Sequence, residues 1–395
     1  MWHARFFWLM ASTGLVSFAA GHACWVSIAD LAERPGNGLC ADGGCASDTG
    51  VQETDPGVHE VEAIAERQTK AYLVAVDDTY VYWTCQDGPA LQRRAKGLDG
   101  GTETIDDTLG GTGVALDDHN VYWASKTGVH KASKDALDAG PEADSLVRAP
   151  PDSGKILDVA VRNGIVYWIA WKDANANKAV GEIWSTSVDG DAGALVDNLN
   201  APFFLTVDDD GMYWTDLNTV GIDDDAHNGV RRSFVAETAA LDGGNPRGIG
   251  RDYTTDWNGN AGRGITTDLN FVYWLEDTGS VWFAPKISPN EASVLPGGGS
   301  TFNHRGLAID RDSNASMLFW AETETNAEDD QGNISAMIAS VDSGKKLLAN
   351  RRLNPHGVAF DQTHVYFTLW GVSASVNPDA YGTQGGVYRV QRPAL

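Results

Sequence analysis

From residue 61 onward the chain repeats one hydropathy pattern. A short apolar stretch leads into a polar turn, and a second apolar stretch ends in two adjacent aromatics. Gly113 to Trp123 is the plainest copy: Val114, Ala115 and Leu116, then Asp117 to Asn120, then Val121, Tyr122 and Trp123. β-Branched and aromatic residues on either side of an Asp-rich reversal predict strand, turn, strand. The aromatic pair recurs at Tyr82-Trp83, Tyr122-Trp123, Tyr167-Trp168, Tyr213-Trp214, Tyr273-Trp274, Phe319-Trp320 and Tyr366-Phe367. The period is about 45 residues, with one longer step between the fourth and fifth copies. Gly opens a third stretch in most copies, at Gly128, Gly181, Gly279 and Gly386. A weaker fourth stretch follows, as in Ala194 to Val196 and Lys346 to Leu348.

Four short strands in a unit of that length predict an all-β fold, a β-propeller of four-stranded blades. The seventh unit stops at its third strand, while Val61 to Ala65 is an apolar segment to spare ahead of the first hairpin. The spare segment is expected to be the outer strand of the last blade, which closes the ring and leaves no long exposed edge. The sequence therefore predicts one seven-bladed propeller over residues 61–395.

The tetrapeptide Tyr213-Trp214-Thr215-Asp216 is similar to the signature of the YWTD propellers found in low-density-lipoprotein-receptor ectodomains. Tyr82-Trp83-Thr84-Cys85 misses that signature by one residue, and the lead-in Gly113 to Asp118 resembles the same family. The likeness spans all seven repeats and is nearest to uncharacterised secreted bacterial members of that superfamily. It departs from the receptor propellers in blade number, since those have six. The resemblance implies the fold and carries no ligand with it.

The N-terminus reads differently. A basic start through Arg5, an apolar run from Phe6 to Ala20, and small residues before Cys24 predict a signal peptide over residues 1–23. Residues 24–60 read as a flexible linker rich in Cys, Gly and Asp. The expected location is secreted, periplasmic or cell-surface, with Cys24 as a candidate lipid attachment point at the membrane. An oxidising compartment allows disulfides, and the pairing of Cys24, Cys40, Cys45 and Cys85 stays open.

Charge narrows the partners. With 29 Lys and Arg against 54 Asp and Glu, the formal net charge is −25, which excludes nucleic acid as a ligand. The 44 glycines and 14 tryptophans fit a repeat of turns and aromatic pairs rather than a helical bundle.

Superposing the repeats gives candidate site positions. The residues entering the first strand are Tyr72, Thr112, Leu157, Phe203, Arg263, Arg305 and His356; those ending the second are Cys85, Ser125, Ala170, Asp216, Glu276, Glu322 and Leu369. Antiparallel neighbours place both sets on one face of the ring. Arg263 is expected beside Glu276 and Arg305 beside Glu322, either as cross-strand ion pairs or as part of a pocket. Gly264, Gly306 and Gly357 follow the cationic or titratable residues and allow another group to come close. Three long connections, Ala239 to Gly262, Thr323 to Gly332 and Gly371 to Gly385, are expected on the same face in blades 4 to 7. Trp171, Trp257 and Trp370 lie outside the repeat pattern and are candidates for ligand stacking.

The first expectation is a monomeric binding or interaction module for a protein, a carbohydrate or a small anionic ligand, using Arg263, Arg305, His356, Tyr72 and Asp216. The second is a propeller lyase or hydrolase with His356 as acid or base and Glu276 or Glu322 assisting. There Asp216, Glu276 and Glu322 would offer oxygens to calcium or magnesium. The third is a structural envelope module. No nucleophile elbow, His-Glu-x-x-His run or phosphate-cradling loop is present to single out a reaction. The Asp clusters at the hairpin turns read as turn chemistry.

Overall fold

The chain divides into Met1–Glu53 and Thr54–Leu395, and every described residue belongs to the second unit. The computed structural model describes residues 60–139, 145–148, 154–172, 180–187, 192–216, 236–241, 243, 247–249, 262–276, 280–288, 291–296, 302–311, 316–324, 331–339, 344–371 and 384–393. The expected signal peptide and linker, with Cys24, Cys40 and Cys45, lie outside them.

Seven four-stranded antiparallel sheets form the unit, a seven-bladed β-propeller. Blade 1 shows the order: Ala71–Val76, Tyr80–Cys85, Pro89–Ala95 and Glu103–Leu109, from the axis outward. The inner strands of the other blades are Gly113–Leu116, Lys155–Arg162, Pro202–Val207, Gly262–Thr267, Phe302–Asp310 and Pro355–Phe360. Each touches the next, and the last touches the first, so the ring closes. Val61–Glu66 pairs antiparallel with Gly386–Gln391 as the outer strand of blade 7, the closure expected from the spare segment. One short helix, Lys134–Ala139, follows the third strand of blade 2 and has no counterpart in the sequence reading.

The aromatic pairs explain the packing. Successive strand residues point to opposite faces, so Tyr and Trp of one pair face different neighbours. Tyr82 shares a core with Trp123 of blade 2, Tyr122 with Trp168 of blade 3, and Tyr167 with Trp214 of blade 4. The scheme continues through Tyr213 with Trp274, Tyr273 with Trp320 and Phe319 with Phe367, and Tyr366 joins Trp83 across the closure. Each interface between blades therefore buries one aromatic from each side, the largest apolar contribution available to it.

The hairpin-turn acids do the turn chemistry expected of them. Asp117 Oδ1 accepts the N–H groups of His119 and Asn120, and its Oδ2 takes the Tyr122 hydroxyl at 2.8 Å. Asp268 and Asp361 repeat the arrangement with Tyr273 and Tyr366. Several of these acids also meet a cation from the next blade: Asp77 with Lys134, Asp208 with Lys286, Asp310 with Arg392, and Asp361 with Lys96.

Candidate functional site

The mouth of the ring is built by a repeated irregularity. In blade 1, Ala71 pairs with Cys85 and Val74 with Trp83, so Tyr72 and Leu73 together oppose the single residue Thr84. Equivalent bulges stand at Phe203-Phe204, Arg263-Gly264, Arg305-Gly306 and His356-Gly357, and blade 3 has one at Leu157. In blade 2 the ladder begins at Gly113, directly after Thr112. A bulge turns its extra residue out of the ladder. The residues expected to enter the first strands are thus the ones that the bulges release from cross-strand pairing.

The bulges set the cross-strand partners of the two glutamates. Glu276 pairs across the strand with Gly262, and Glu322 with His304, because the extra residue shifts the register by one. Arg263 sets its guanidinium 5.9 Å from the centre of the Phe203 ring. Glu322 is fully buried and held within its own blade. Lys345 Nζ lies 3.0 Å from Oε1, Ser335 donates to the same oxygen, and Trp320 Nε1 donates to Oε2 at 3.1 Å. Asp216 and Glu276 are also buried, at 2 % exposure each. Arg305 has a described backbone in the inner strand of blade 6, while its side chain lies outside the description. Among the described residues no three His, Cys, Asp or Glu side chains gather as a metal-ligating group.

Tyr72 and His356 do come together. Their rings lie 5.2 Å apart across the closure between blades 7 and 1, and Trp370 stands 6.0 Å from His356 on its other side. Trp370 Nε1 donates to Gln86 Oε1 at 3.2 Å, and the buried Lys70 ammonium lies 5.0 Å from the Trp370 ring while pairing with Asp87. Trp370 therefore packs beside His356 at the seam between blades 7 and 1. Trp171 ends the second strand of blade 3 and donates to Pro202 O at 2.7 Å, which makes it a brace between blades. Trp257, Tyr253 and Tyr381 lie outside the described residues. So do most of the three long connections, but Ala239 to Gly262 contains the fourth strand of blade 4, Arg247–Ile249, and is not one continuous loop.

The glycines after the bulged residues admit backbone. A Cβ on Gly306 would lie 2.4 Å from His356 O, and one on Gly357 would lie 2.6 Å from Tyr72 O. The group expected to come close is the inner strand of the next blade. Threonine supplies the matching polar stitch. Thr368 Oγ1 accepts the Gly357 N–H at 2.7 Å and donates to Tyr72 O of blade 1, and Thr215 donates to Arg263 O at 2.8 Å. The threonine of the signature tetrapeptide thus binds a bulge carbonyl on the following blade.

Beneath the mouth, on the axis, lies a cavity of about 140 Å3. Its apolar wall includes Val74, Val114, Leu205, Ile265, Leu307 and Val358, residues of the inner strands of six blades. Blade 3 contributes Asp158, a carboxylate that sequence reasoning missed. Asp158 is 6 % exposed, and each oxygen takes one backbone N–H at 2.9 Å, Oδ1 from Val159 and Oδ2 from Leu205 of blade 4. Burial pushes its carboxyl up to about 7, against the opposing pull of those two N–H bonds. Glycine stands in the equivalent position of blades 5 and 6, at Gly264 and Gly306, so the wall there is bare backbone.

No protein-family model and no curated protein matches the sequence. Solved structures show the fold. YCF48 bound to D1 peptide matches with TM-score 0.54 at 11% identity, over 85% of this chain and 97% of that one. Puromycin hydrolase matches with TM-score 0.53 at 13% identity, over 78% of this chain and 51% of that one. A chain of a nidogen/laminin complex aligns with 17% identity and TM-score 0.42 over 73% of this chain and 97% of that one.

Proposed function

We propose that this propeller is an exported or surface-anchored binding module that takes an anionic or polyhydroxylated ligand, free or on a protein, at its bulged face. The supporting observation is the set of bulges in six of the seven blades, each of which turns a residue out of the ladder near the start of its inner strand. Aromatic and cationic residues occupy five of those six places: Tyr72, Phe203, Arg263, Arg305 and His356. In a chain of net charge −25, cations at matching places in adjacent blades make a local reversal of sign. Arginine offers paired donors to carboxylate or hydroxyl oxygens, and flat aromatic rings pack against sugar faces or peptide planes.

Propellers of this fold include one solved with a peptide and one named as a hydrolase, so the fold does not choose between binding and catalysis. Side chains favour binding. Glu322, expected to assist His356, is held by Lys345, Ser335 and Trp320 within its blade.

The test is calorimetric titration and thermal shift with a polyglutamate peptide and an oligogalacturonate as anionic probes, and a neutral oligosaccharide beside them. The expected result is saturable stabilisation by at least one anion, weakened about tenfold or more in Arg263→Ala and His356→Ala. The reading fails if no probe shifts the melting temperature, or if the double variant responds as the native protein does.

A further inference from the structure

We propose that the axial cavity is a binding site for a primary alkylammonium group, with Asp158 as the residue that receives its charge. The cavity wall takes the second residue of four bulges, Leu73, Phe204, Gly264 and Gly306, but none of the rim side chains Tyr72, Phe203, Arg263, Arg305 and His356 on which the rim reading rests.

Three observations meet there. The first is unspent acceptor capacity. A carboxylate has about four lone-pair directions, and the two backbone N–H groups on Asp158 take one on each oxygen. The second is charge. Asp158 is the only titratable residue in the described wall, and no Lys, Arg or His lines it. Its high carboxyl pKa reflects that uncompensated burial. A neutral donor leaves a buried charge uncompensated, whereas an ammonium supplies both hydrogen bonds and the counter-charge. The third is shape. The remaining wall combines aliphatic and aromatic side chains, Leu73, Phe204 and Leu307 among them, with bare backbone at Gly264 and Gly306, and so offers apolar contact to an alkyl stem and polar backbone to the cationic head. A volume of about 140 Å3 is close to the ~150 Å3 apolar cavities that admit a benzene-sized guest, which here means a chain of about three to five carbons. A calcium or magnesium ion needs about six oxygen ligands, and the wall offers one carboxylate.

The experiment compares n-butylammonium, n-butanol and butyrate on the full chain by thermal shift and calorimetry. Butylammonium is expected to bind saturably and raise the melting temperature, with butanol and butyrate at least about tenfold weaker. Asp158→Asn is expected to lose the preference for ammonium. Because that variant also removes one backbone hydrogen bond, carbon-13 NMR of the native aspartate carboxyls provides a second reading. There butylammonium lowers the apparent pKa of Asp158 and butanol does not. Arg162→Ala, at an exposed ion pair with Asp209 outside the cavity wall, is expected to leave the ammonium response unchanged. Equal binding of the alcohol, no binding by any of the three, an Asp158 titration indifferent to ammonium, or an undiminished response in Asp158→Asn would each overturn the proposal.

Discussion

Lys96 Nζ lies 2.7 Å from Asp361 Oδ2, an ion pair that joins the first blade to the last. Both side chains are mostly buried, at 15 % and 22 % exposure, and the same carboxylate also takes the Tyr366 hydroxyl and two backbone N–H groups. Removing Lys96 leaves that carboxylate partly uncompensated at the seam where the first and last blades meet. Lys96→Ala is expected to cost about 1–2 kcal/mol. Arg162 pairs with Asp209 in equally good geometry but in the open, at 38 % and 67 % exposure. Arg162→Ala is therefore expected to leave the melting curve unmoved. Equal losses in the two variants would show that the seam pair has no special weight.

Asp158 and Asp361 pull stability in opposite directions with pH. Burial holds the Asp158 carboxyl up, near 7, against an ordinary 3.8. Its proton is bound more tightly in the folded chain, so its burden is absent below about pH 4 and grows as pH rises to about 7. Burial also raises Asp361, but Lys96, the Thr363 and His364 N–H groups and the Tyr366 hydroxyl overcome it and hold its carboxyl well below the usual range. Asp361 thus stabilises above about pH 4, and that contribution is lost as pH falls further. Asp158→Asn is expected to flatten the melting temperature between about pH 4 and 7 and leave the acid limb in place. A native slope over that window in the variant would contradict the assignment.

The repeat was legible because propeller packing writes itself into residue type. An aromatic pair per blade is what two opposed interfaces require, and Tyr82 with Trp123 or Tyr366 with Trp83 meets that requirement directly. The spare Val61–Ala65 was legible for a similar reason, since blade 7 lacked an outer strand. The site was only half legible. Period-two alternation places Arg263 and Arg305 near the start of an inner strand, but it cannot show that a bulge precedes Ile265 and Leu307. The residues in the bulges range from Tyr to Gly, and the bulge itself is a matter of register. In the ladder the residue opposite Glu322 is His304, one place before Arg305. Asp158 was invisible because its partner, the Leu205 N–H, is 47 residues away on another blade. In sequence it is one acid within a strand of blade 3, with nothing local to mark it.

Threonine in the second strand has a role that can be isolated. Thr368 Oγ1 accepts from Gly357 N and donates to Tyr72 O, so one hydroxyl satisfies a bulge and binds the next blade. Thr368→Val keeps the shape and leaves both backbone groups buried without that partner. The expected loss is about 1–3 kcal/mol, and Thr368→Ser is expected to recover most of it. Thermal unfolding of the three proteins at one pH checks this. If valine is as stable as threonine, the hydroxyl contributes only shape.

Close approach at the axis makes two glycines differ sharply. A methyl group on Gly306 would sit 2.4 Å from His356 O and 3.1 Å from Gly357 Cα, both belonging to the next inner strand. Backbone on both sides leaves nothing flexible to give way, so relief requires blades 6 and 7 to separate. Separation would disturb the core that Phe319 and Phe367 share and reshape the cavity wall between Leu307 and Val358. Gly306→Ala is therefore expected to destabilise by about 3 kcal/mol or more, beyond the usual range for a point change. Gly101 has nothing within 4 Å of the added methyl and no positive φ, so Gly101→Ala is expected to be neutral or to stabilise by about 0.4–1 kcal/mol through the unfolded chain. Melting temperatures of the two variants decide the matter. A tolerated Gly306→Ala would mean that inner strands can shift outward, and the close-packed axis argued for the mouth and the cavity would have to be abandoned.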